Sequence, residues 1–327
     1  MNALIRVIPT ALLVLSTGLA HAEPVTSGSL LVSLERDDAV VVLDATSLAT
    51  KARIATGKRP RGMGFSADRT LVYVACSNDN RIDVISLAEG KVVRRYEGID
   101  NPEMFSVSPD GKSLWLSNED AGEASRLNLE TGVLDRVVPT GEEPEGMLVS
   151  SDGKTLYVTS EVANRIHVID IASGEERGTV VVGNRPRRMV LAQKDTELWV
   201  TNELAGTVSI VSTATLQVTD EIRFEPRGFR PEDITPVGLA LSPDGKTAFV
   251  SLGRANHVAR VDVASRAIGG YVLTGQRAWG LAVSADGETL YVANGLSDDV
   301  AAVSVADWKV RTAAGVGRVP HSILVVE

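Results

Sequence analysis

The sequence EPEGMLVSSDGKTLYVTSEVANRIHVIDIASGEERGTVVVG, residues 143–183, reads as four short strands separated by tight turns. Residues 146–149, 156–159, 166–170 and 179–182 are rich in apolar and β-branched side chains, and residues 156–159 alternate with a period of two. Asp152-Gly153 and Ser173-Gly174 separate strands at positions where glycine tolerates the positive φ of a hairpin turn. The segment therefore predicts one small antiparallel sheet of four strands.

The same pattern returns along the chain at a nearly constant interval. The intervals are 42, 42, 42, 42, 50 and 42 residues between the residues that open the second strand of each unit, which are Leu31, Tyr73, Trp115, Tyr157, Trp199, Phe249 and Tyr291. A second marker has the same intervals, at Pro60, Pro102, Pro144, Pro186, Pro236, Ala278 and Pro320. Repeats of this length with four strands are typical of propeller blades. We predict an all-β, seven-bladed β-propeller with four antiparallel strands in each blade.

The two ends of the chain complete this ring. Residues 30–35 read as the second strand of the first unit, and no first strand precedes them. The final residues, RVPHSILVVE, match a first strand with nothing after it. An open solenoid would need capping repeats, and none is visible in the sequence. We therefore expect residues 323–326 to complete the N-terminal blade, and residues 23–327 to form a single domain.

The first 22 residues differ from the repeats. Arg6 precedes a mostly apolar stretch, residues 7–19, and Ala20-His21-Ala22 places small residues at a cleavage site. The apolar run is shorter than the roughly 20 residues of a membrane-spanning helix. We predict a signal peptide, cleaved before Glu23, and a periplasmic protein without a membrane span. The formal net charge of −9 disfavours nucleic acid as a partner.

The segment DGKTLYVTSEVANRIHVID, residues 152–170, resembles the YVTN-family β-propeller repeat, and the resemblance extends over the chain from residue 23 onward. Together with seven repeats and a signal peptide, residues 101–119 (NPEMFSVSPDGKSLWLSNE) and 143–161 are most similar to propellers associated with pyrroloquinoline quinone (PQQ)-dependent catabolism of alcohols. This resemblance implies a periplasmic accessory protein without catalytic residues. Its partner would be a quinoprotein dehydrogenase, a transport component or a small ligand, and PQQ would enter only through a partner enzyme.

Two rings of side chains are expected at one mouth of the central channel, where binding sites on scaffolds of this kind usually lie. The first ring follows the repeated proline and consists of Arg61, Glu103, Glu145, Arg187, Val237, Trp279 and His321. The second ring ends the second strands and consists of Glu35, Ser77, Glu119, Glu161, Glu203, Gly253 and Gly295. These rings are the candidate ligand or partner site. The alternative interpretation, with equal weight, is that these residues are polar only because the mouth of the channel is exposed to solvent.

The 50-residue interval contains an insertion within residues 220–234, in a loop expected on the same face. Arginine and aromatic residues together are typical of interaction hot spots. We predict a lid or partner contact made by Arg223, Phe224, Arg227, Phe229 and Arg230. The alternative is a surface insertion without function, which repeat proteins tolerate.

The sequence contains no recognisable catalytic constellation. It has no CxxC or HxxxH spacing, no GxSxG elbow and no P-loop, so no metal, cofactor or catalytic residue is assigned. These observations favour a non-enzymatic binding or scaffold propeller serving PQQ-dependent alcohol oxidation and linked transport. The alternatives are a hydrolase or lactonase that uses the acidic channel mouth, and a general interaction module of the cell envelope.

Overall fold

Alternating apolar strands joined by tight turns form seven four-stranded antiparallel sheets in the computed structural model, which describes residues 23–327. Each sheet buries both faces against its neighbours, because an isolated blade has apolar residues on both sides. This arrangement confirms the predicted seven-bladed propeller. The predicted signal peptide, residues 1–22, lies outside the described residues, so its cleavage and the domain boundary stay predictions.

Blades 1 to 3 are built from strands of six or seven residues. Blade 1 contains β1 (Ser29–Leu34), β2 (Ala39–Asp44), β3 (Thr50–Ala55) and the C-terminal strand β28 (Pro320–Val326). Blade 2 contains β4 (Pro60–Phe65), β5 (Leu71–Cys76), β6 (Arg81–Ser86) and β7 (Lys91–Glu97). Blade 3 contains β8 (Pro102–Val107), β9 (Ser113–Asn118), β10 (Glu123–Asn128) and β11 (Leu134–Pro139).

Blades 4 to 7 follow the same order. Blade 4 contains β12 (Pro144–Val149), β13 (Thr155–Ser160), β14 (Arg165–Asp170) and β15 (Glu176–Val181). Blade 5 contains β16 (Pro186–Ala192), β17 (Glu197–Asn202), β18 (Thr207–Ser212) and β19 (Gln217–Arg223). Blade 6 contains β20 (Leu239–Leu241), β21 (Thr247–Ser251), β22 (His257–Asp262) and β23 (Ile268–Leu273). Blade 7 contains β24 (Ala278–Val283), β25 (Thr289–Asn294), β26 (Asp299–Ser304) and β27 (Lys309–Gly315).

Short 3₁₀ helices at Ser77–Asp79 and Pro231–Asp233 are the helices of the described part of the chain. None of the helices in residues 23–327 has the length and apolar character needed to cross a membrane. In blade 4, whose strands were predicted individually, each strand begins one to three residues earlier than the sequence pattern indicated.

The C-terminal strand closes the ring as predicted. It pairs antiparallel with β1, and Leu30 lies opposite Val325. Leu30 also packs in a cluster with Tyr291 of blade 7, whose hydroxyl donates to the carbonyl oxygen of Ala45 at 3.0 Å. The seam between the last blade and the first is therefore packed and hydrogen bonded like the interior of the ring.

Candidate active site

The first strand of a blade carries a bulge directly after the repeated proline, and this bulge positions the first ring. In blade 4, Pro144 pairs with Ser160, but Glu145 and Gly146 have no partner in the ladder. A bulge turns a side chain away from the regular alternation of the strand, and Glu145 becomes completely buried. A Cβ atom at Gly146 would overlap the carbonyl oxygen of Arg187. Glycine at this position therefore permits the close approach of neighbouring first strands around the channel.

Hydroxyl groups of the preceding blade hold the backbone of the first ring. Each of these serines and threonines lies on a second strand and donates to the carbonyl oxygen of a first-ring residue in the next blade. The bonds join Ser33 to Arg61 at 2.8 Å, Thr159 to Arg187 at 3.1 Å, Thr201 to Val237 at 2.9 Å and Ser251 to Trp279 at 2.7 Å. Bonds between blades thus place the ring side chains relative to one another.

Three arginines at the mouth were not predicted. Arg59 and Arg185 directly precede Pro60 and Pro186, and Arg277 precedes Ala278 at the equivalent position. All three have a left-handed backbone, with φ of 55° at Arg59, 56° at Arg185 and 58° at Arg277. A non-glycine residue is uncommon in this region and must be held there by its surroundings. Side-chain oxygens of the preceding blade accept their backbone N–H groups, through Asp38 at 3.1 Å, Asn164 at 2.9 Å and Asn256 at 2.8 Å. The regular spacing of these arginines and of their Asp or Asn partners was the available sequence signal.

The mouth contains a cavity of about 360 Å³. Residues of both predicted rings line it, namely Arg61, Arg187, Trp279, His321, Glu35, Glu119, Glu203 and Gly295. Arg59, Arg185 and Arg277 line it as well, together with Arg36, Leu296, Val319 and Pro320. The predicted residues Ser77, Val237 and Gly253 are not part of this lining. Glu103, Glu145 and Glu161 do not line the cavity either, but each forms an ion pair with an arginine that does. Binding by any of these residues stays a prediction.

Buried ion pairs connect the glutamates beneath the cavity to the arginines that line it. Arg59 Nη1 lies 2.7 Å from Glu103 Oε1, and Arg61 also pairs with Glu103. Arg187 Nη2 lies 3.5 Å from Glu145 Oε1, which Arg188 Nη1 contacts at 2.5 Å. Burial opposes the charged form of Glu145, but Arg187, Arg188 and Arg61 outweigh it and hold the pKa of Glu145 well below its usual range.

A similar pairing continues into blade 5. Glu161 pairs with Arg187 and, at 2.7 Å from Oε2 to Nη2, with Arg185. Arg185 Nε also lies 3.1 Å from Glu203 Oε2. Acidic and basic residues of the two rings therefore pair with each other across neighbouring blades.

Glu119 differs from the other carboxylates of the mouth. Burial and the negative charge of Glu145 raise the pKa of Glu119 to about 7, although Arg61 acts in the opposite direction. No arginine or lysine nitrogen within residues 23–327 lies within ion-pair distance, 4.0 Å, of the Glu119 carboxylate. Carboxylate oxygens of Glu103, Glu119 and Glu145 lie within 4.8 Å of one another. Because Glu119 is close to two other carboxyl groups and has no cationic partner among residues 23–327, it is about half protonated at neutral pH.

His321 forms the floor of the cavity beside Arg61. Burial and the nearby charges of Arg61 and Arg188 lower the pKa of His321 well below its usual value. The ring is therefore neutral, and its Nε2 accepts a hydrogen bond from Arg61 Nε at 3.3 Å. Trp279 lies next to His321, with ring centroids 5.9 Å apart. The floor thus combines one neutral imidazole and one indole beneath charged side chains.

The insertion between blades 5 and 6 does not cover this cavity. Phe224, predicted as part of a partner contact, is buried in the core with Trp199 and Ile234, because the chain folds back there between two blades. Phe229 packs partly against the same core and meets His257 edge-on, with ring centroids 5.3 Å apart. Three of the predicted contact residues remain exposed, namely Arg223, Arg227 and Arg230. The prediction that Phe224 faces a partner is wrong, and none of the five residues lines the mouth cavity.

Comparison with protein families gives a match over residues 174–310 to the family model described as lactonase, seven-bladed β-propeller. This stretch runs from the last strand of blade 4 to the last strand of blade 7. Blades 5 to 7 therefore resemble those of lactonase propellers. Curated protein sequences gave no significant match.

Solved structures of the same fold include several lactonases. The periplasmic gluconolactonase PpgL of Pseudomonas aeruginosa is 21% identical, with a TM-score of 0.77 over 91% of this chain and 99% of that one. A putative 6-phosphogluconolactonase of Bacteroides fragilis is 18% identical, with a TM-score of 0.76 over 91% and 98%. Hydrazine synthase of Kuenenia stuttgartiensis is 19% identical, with a TM-score of 0.77 over 90% and 99%. At these identities the structures establish the shared propeller fold.

These comparisons correct the functional interpretation of the sequence. The interpretation as a non-enzymatic binding or scaffold propeller is wrong, because the family-model match and the gluconolactonase neighbours favour the hydrolase alternative. The resemblance to propellers of PQQ-dependent catabolism finds no support among them. The sequence analysis favoured a non-enzymatic role because the candidate groups belong to different repeats and form no local motif.

Proposed function

We propose that this protein hydrolyses a lactone in the channel mouth, with Glu119 as the general base. The observation that carries the proposal is Glu119 itself, a carboxyl group without an arginine or lysine partner among residues 23–327, with a pKa of about 7, that lines a cavity of about 360 Å³. A general base works best when its pKa is close to the operating pH. The lactonase family-model match over residues 174–310 supports the class of reaction.

In the proposed reaction, a water molecule gives a proton to the Glu119 carboxylate while its oxygen adds to the lactone carbonyl carbon. The carbonyl oxygen becomes an oxyanion, and it collapses back to a carbonyl as the ring C–O bond breaks. The proton on Glu119 then passes to the departing ring oxygen. The product is an open-chain hydroxy acid, and Glu119 returns to its ionised form.

The arginines of the mouth favour the negative charge that forms on the carbonyl oxygen. Arg61 and Arg187 line the cavity and are held in place by Glu103, Glu145 and Glu161, so they need little rearrangement during the reaction. Preorganised donors of this kind are usually the largest contribution to catalysis of acyl transfer. The proposed reaction uses water and no cofactor, and its partner is a small-molecule lactone.

We also propose that the reaction takes place in the periplasm. The support is the signal-peptide pattern of residues 1–22 and the similarity to a periplasmic gluconolactonase. Cell fractionation of the natural host tests this location. Recovery of the protein with its first 22 residues still attached, in the cytoplasmic fraction, would contradict it.

The test of the reaction is a pH-stat assay with D-glucono-δ-lactone, corrected for spontaneous hydrolysis. We expect Glu119→Gln to lower kcat/KM by about 10²- to 10⁴-fold, because the amide accepts no proton from water. Glu130→Gln is the matched control, since Glu130 is an exposed glutamate of the same blade at a turn on the opposite face. Wild-type turnover that survives in Glu119→Gln, or no turnover in the wild type with any of several sugar lactones, would contradict the proposal.

A further inference from the structure

The lining of the mouth cavity is positively charged, although the whole chain has a formal net charge of −9. Six arginines and three glutamates line it, and one of these glutamates is the half-protonated Glu119. Glu103, Glu145 and Glu161 beneath the lining offset nearly all of this excess through the ion pairs described above. The positive charge that remains available to a ligand is therefore local, on arginines without a carboxylate partner, and such a charge in a concave, partly buried site attracts an anion.

Two arginines of this lining, Arg36 and Arg277, have no carboxylate partner among residues 23–327, and of these Arg36 is exposed whereas Arg277 is half-buried. Arg59, Arg61, Arg185 and Arg187 each pair with at least one glutamate. In contrast, no carboxylate oxygen among residues 23–327 lies within 4.0 Å of the Arg277 guanidinium, and its side chain donates no hydrogen bond there. A half-buried guanidinium with unused donors is costly unless an acceptor reaches it.

The position of Arg277 is nevertheless well defined. Its guanidinium carbon lies 4.3 Å from the ring centroid of Trp279, which is buried. Its backbone N–H donates to Asn256 Oδ1 at 2.8 Å, and its carbonyl oxygen accepts from the backbone N–H of Gly295 at 3.0 Å. Stacking on an indole leaves the edge of a guanidinium free to donate. The guanidinium donors of Arg277 are thus held at the cavity in a fixed orientation, without an acceptor in the part of the chain that the structure describes.

We propose that Arg277, stacked on Trp279, is the anion-binding residue of the cavity and holds a carboxylate or phosphate group of the reacting molecule. Burial, together with the charges of Arg187 and Arg254, lowers the pKa of Arg277, although Glu203 and Glu35 act in the opposite direction, and a bound anion would offset this lowering. The anion has two possible sources. It is either the carboxylate that lactone hydrolysis produces or a phosphate that the substrate carries. The assignment of the ligand as lactone or hydroxy acid rests on the proposed function, whereas the anion site itself does not.

The test measures binding of sodium gluconate and of inorganic phosphate to the full chain by isothermal titration calorimetry. We expect Arg277→Gln to weaken binding of at least one of them by about 10- to 100-fold, the range for a lost charge-assisted hydrogen-bond pair. Arg277→Lys keeps the charge but not the planar fork, so we expect an intermediate loss. Weaker binding of gluconate to Arg277→Gln identifies the carboxylate product as the ligand. Weaker binding of phosphate identifies a phosphate group carried by the substrate. Either result supports the site.

Arg254→Gln is the matched control, because Arg254 is an exposed arginine of the neighbouring blade that does not line the cavity. It removes the same charge without removing the proposed contact. Equal weakening by Arg254→Gln and Arg277→Gln, wild-type affinity of Arg277→Gln for both anions, or no binding of either anion to the wild type would each overturn the proposal. If lactones are not hydrolysed but anion binding depends on Arg277, then the proposed reaction is wrong and the anion site stands.

Discussion

Arg318 donates from Nε to Oδ1 of Asp37 at 2.6 Å and from its backbone N–H to Oδ2 of the same carboxylate at 2.9 Å. Asp37 lies in the turn between β1 and β2, and Arg318 lies two residues before the start of β28. The pair therefore joins the two ends of the chain at the seam of the ring. Burial raises the pKa of Asp37, but hydrogen bonds from Arg318 and Arg53 outweigh it and lower the pKa to about 2.

Replacement of Asp37 by asparagine should destabilise the ring. We expect a loss of about 1–2 kcal/mol in the free energy of unfolding, because charge-assisted hydrogen bonds are weakened while the exposed parts of the pair contribute little. Urea unfolding measures this loss. Asp135→Asn is the control, since Asp135 pairs with Arg126 inside blade 3 and away from the seam. Equal losses in the two variants would show that the seam has no special role.

The same pair predicts an acid dependence of stability. The pKa of Asp37 is depressed on folding, so its contribution is present above the unfolded value of 3.8 and is lost as the pH falls toward about 2. We expect the stability of Asp37→Asn to fall less steeply than that of the wild type over this range. Parallel curves from urea unfolding at successive pH values would contradict the assignment.

The rate of lactone hydrolysis should depend on the ionisation of Glu119. Only the carboxylate accepts a proton, so kcat/KM is expected to rise tenfold per pH unit below about 7 and to level off above it. A pH-stat series with the wild type measures the profile. A rate that falls with rising pH through this range would assign the opposite protonation state to the reacting group.

Removal of the same charge should stabilise the protein. The folded-state pKa of Glu119 lies above its unfolded value of 4.5, so its ionisation opposes folding as the pH rises from 4.5 to about 7. We expect Glu119→Gln to raise Tm by about 2 °C at pH 8, for about 1 kcal/mol of relieved repulsion, and to leave Tm nearly unchanged at pH 4. A lower Tm at pH 8 would mean that the ionised carboxylate is stabilised by a partner.

Chelators should not affect the proposed activity. Glu103, Glu119 and Glu145 approach one another closely enough to hold a cation, but Arg59 and Arg61 pair with the first of them, and Arg187 and Arg188 with the last. A divalent ion would have to compete with these guanidinium groups. We expect protein dialysed against EDTA to keep its full rate. A loss that calcium or magnesium restores would reassign the three glutamates as ligands.

The repeat made most of the fold predictable. Each interval of 42 residues contains the same strands and the same proline, so local pattern and spacing gave the blade number and the closure by residues 323–326. The insertion of the 50-residue interval was also predicted in its correct place. Its conformation was not, because the burial of Phe224 depends on space between two blades rather than on its neighbours in sequence.

The sequence predicted where the candidate site lies, but not which of its carboxyl groups is protonated or ion-paired. The repeat predicted which positions form the rings, and Arg59, Arg185 and Arg277 share its spacing. Nothing in that spacing distinguishes Glu119, whose pKa is raised by burial and by Glu145, from Glu145, whose pKa is lowered by three arginines. Such differences arise from distances between residues of different blades, which a single repeat does not contain.

For this protein, the sequence alone determined the ring, because strand alternation and turn residues act locally and recur in every blade. Only the tertiary structure decided which guanidinium pairs with which carboxylate, and which group is left without a partner. Electrostatic energy depends on distance and burial across blades, so Arg277 and Glu119 stand out once seven blades are closed around one axis.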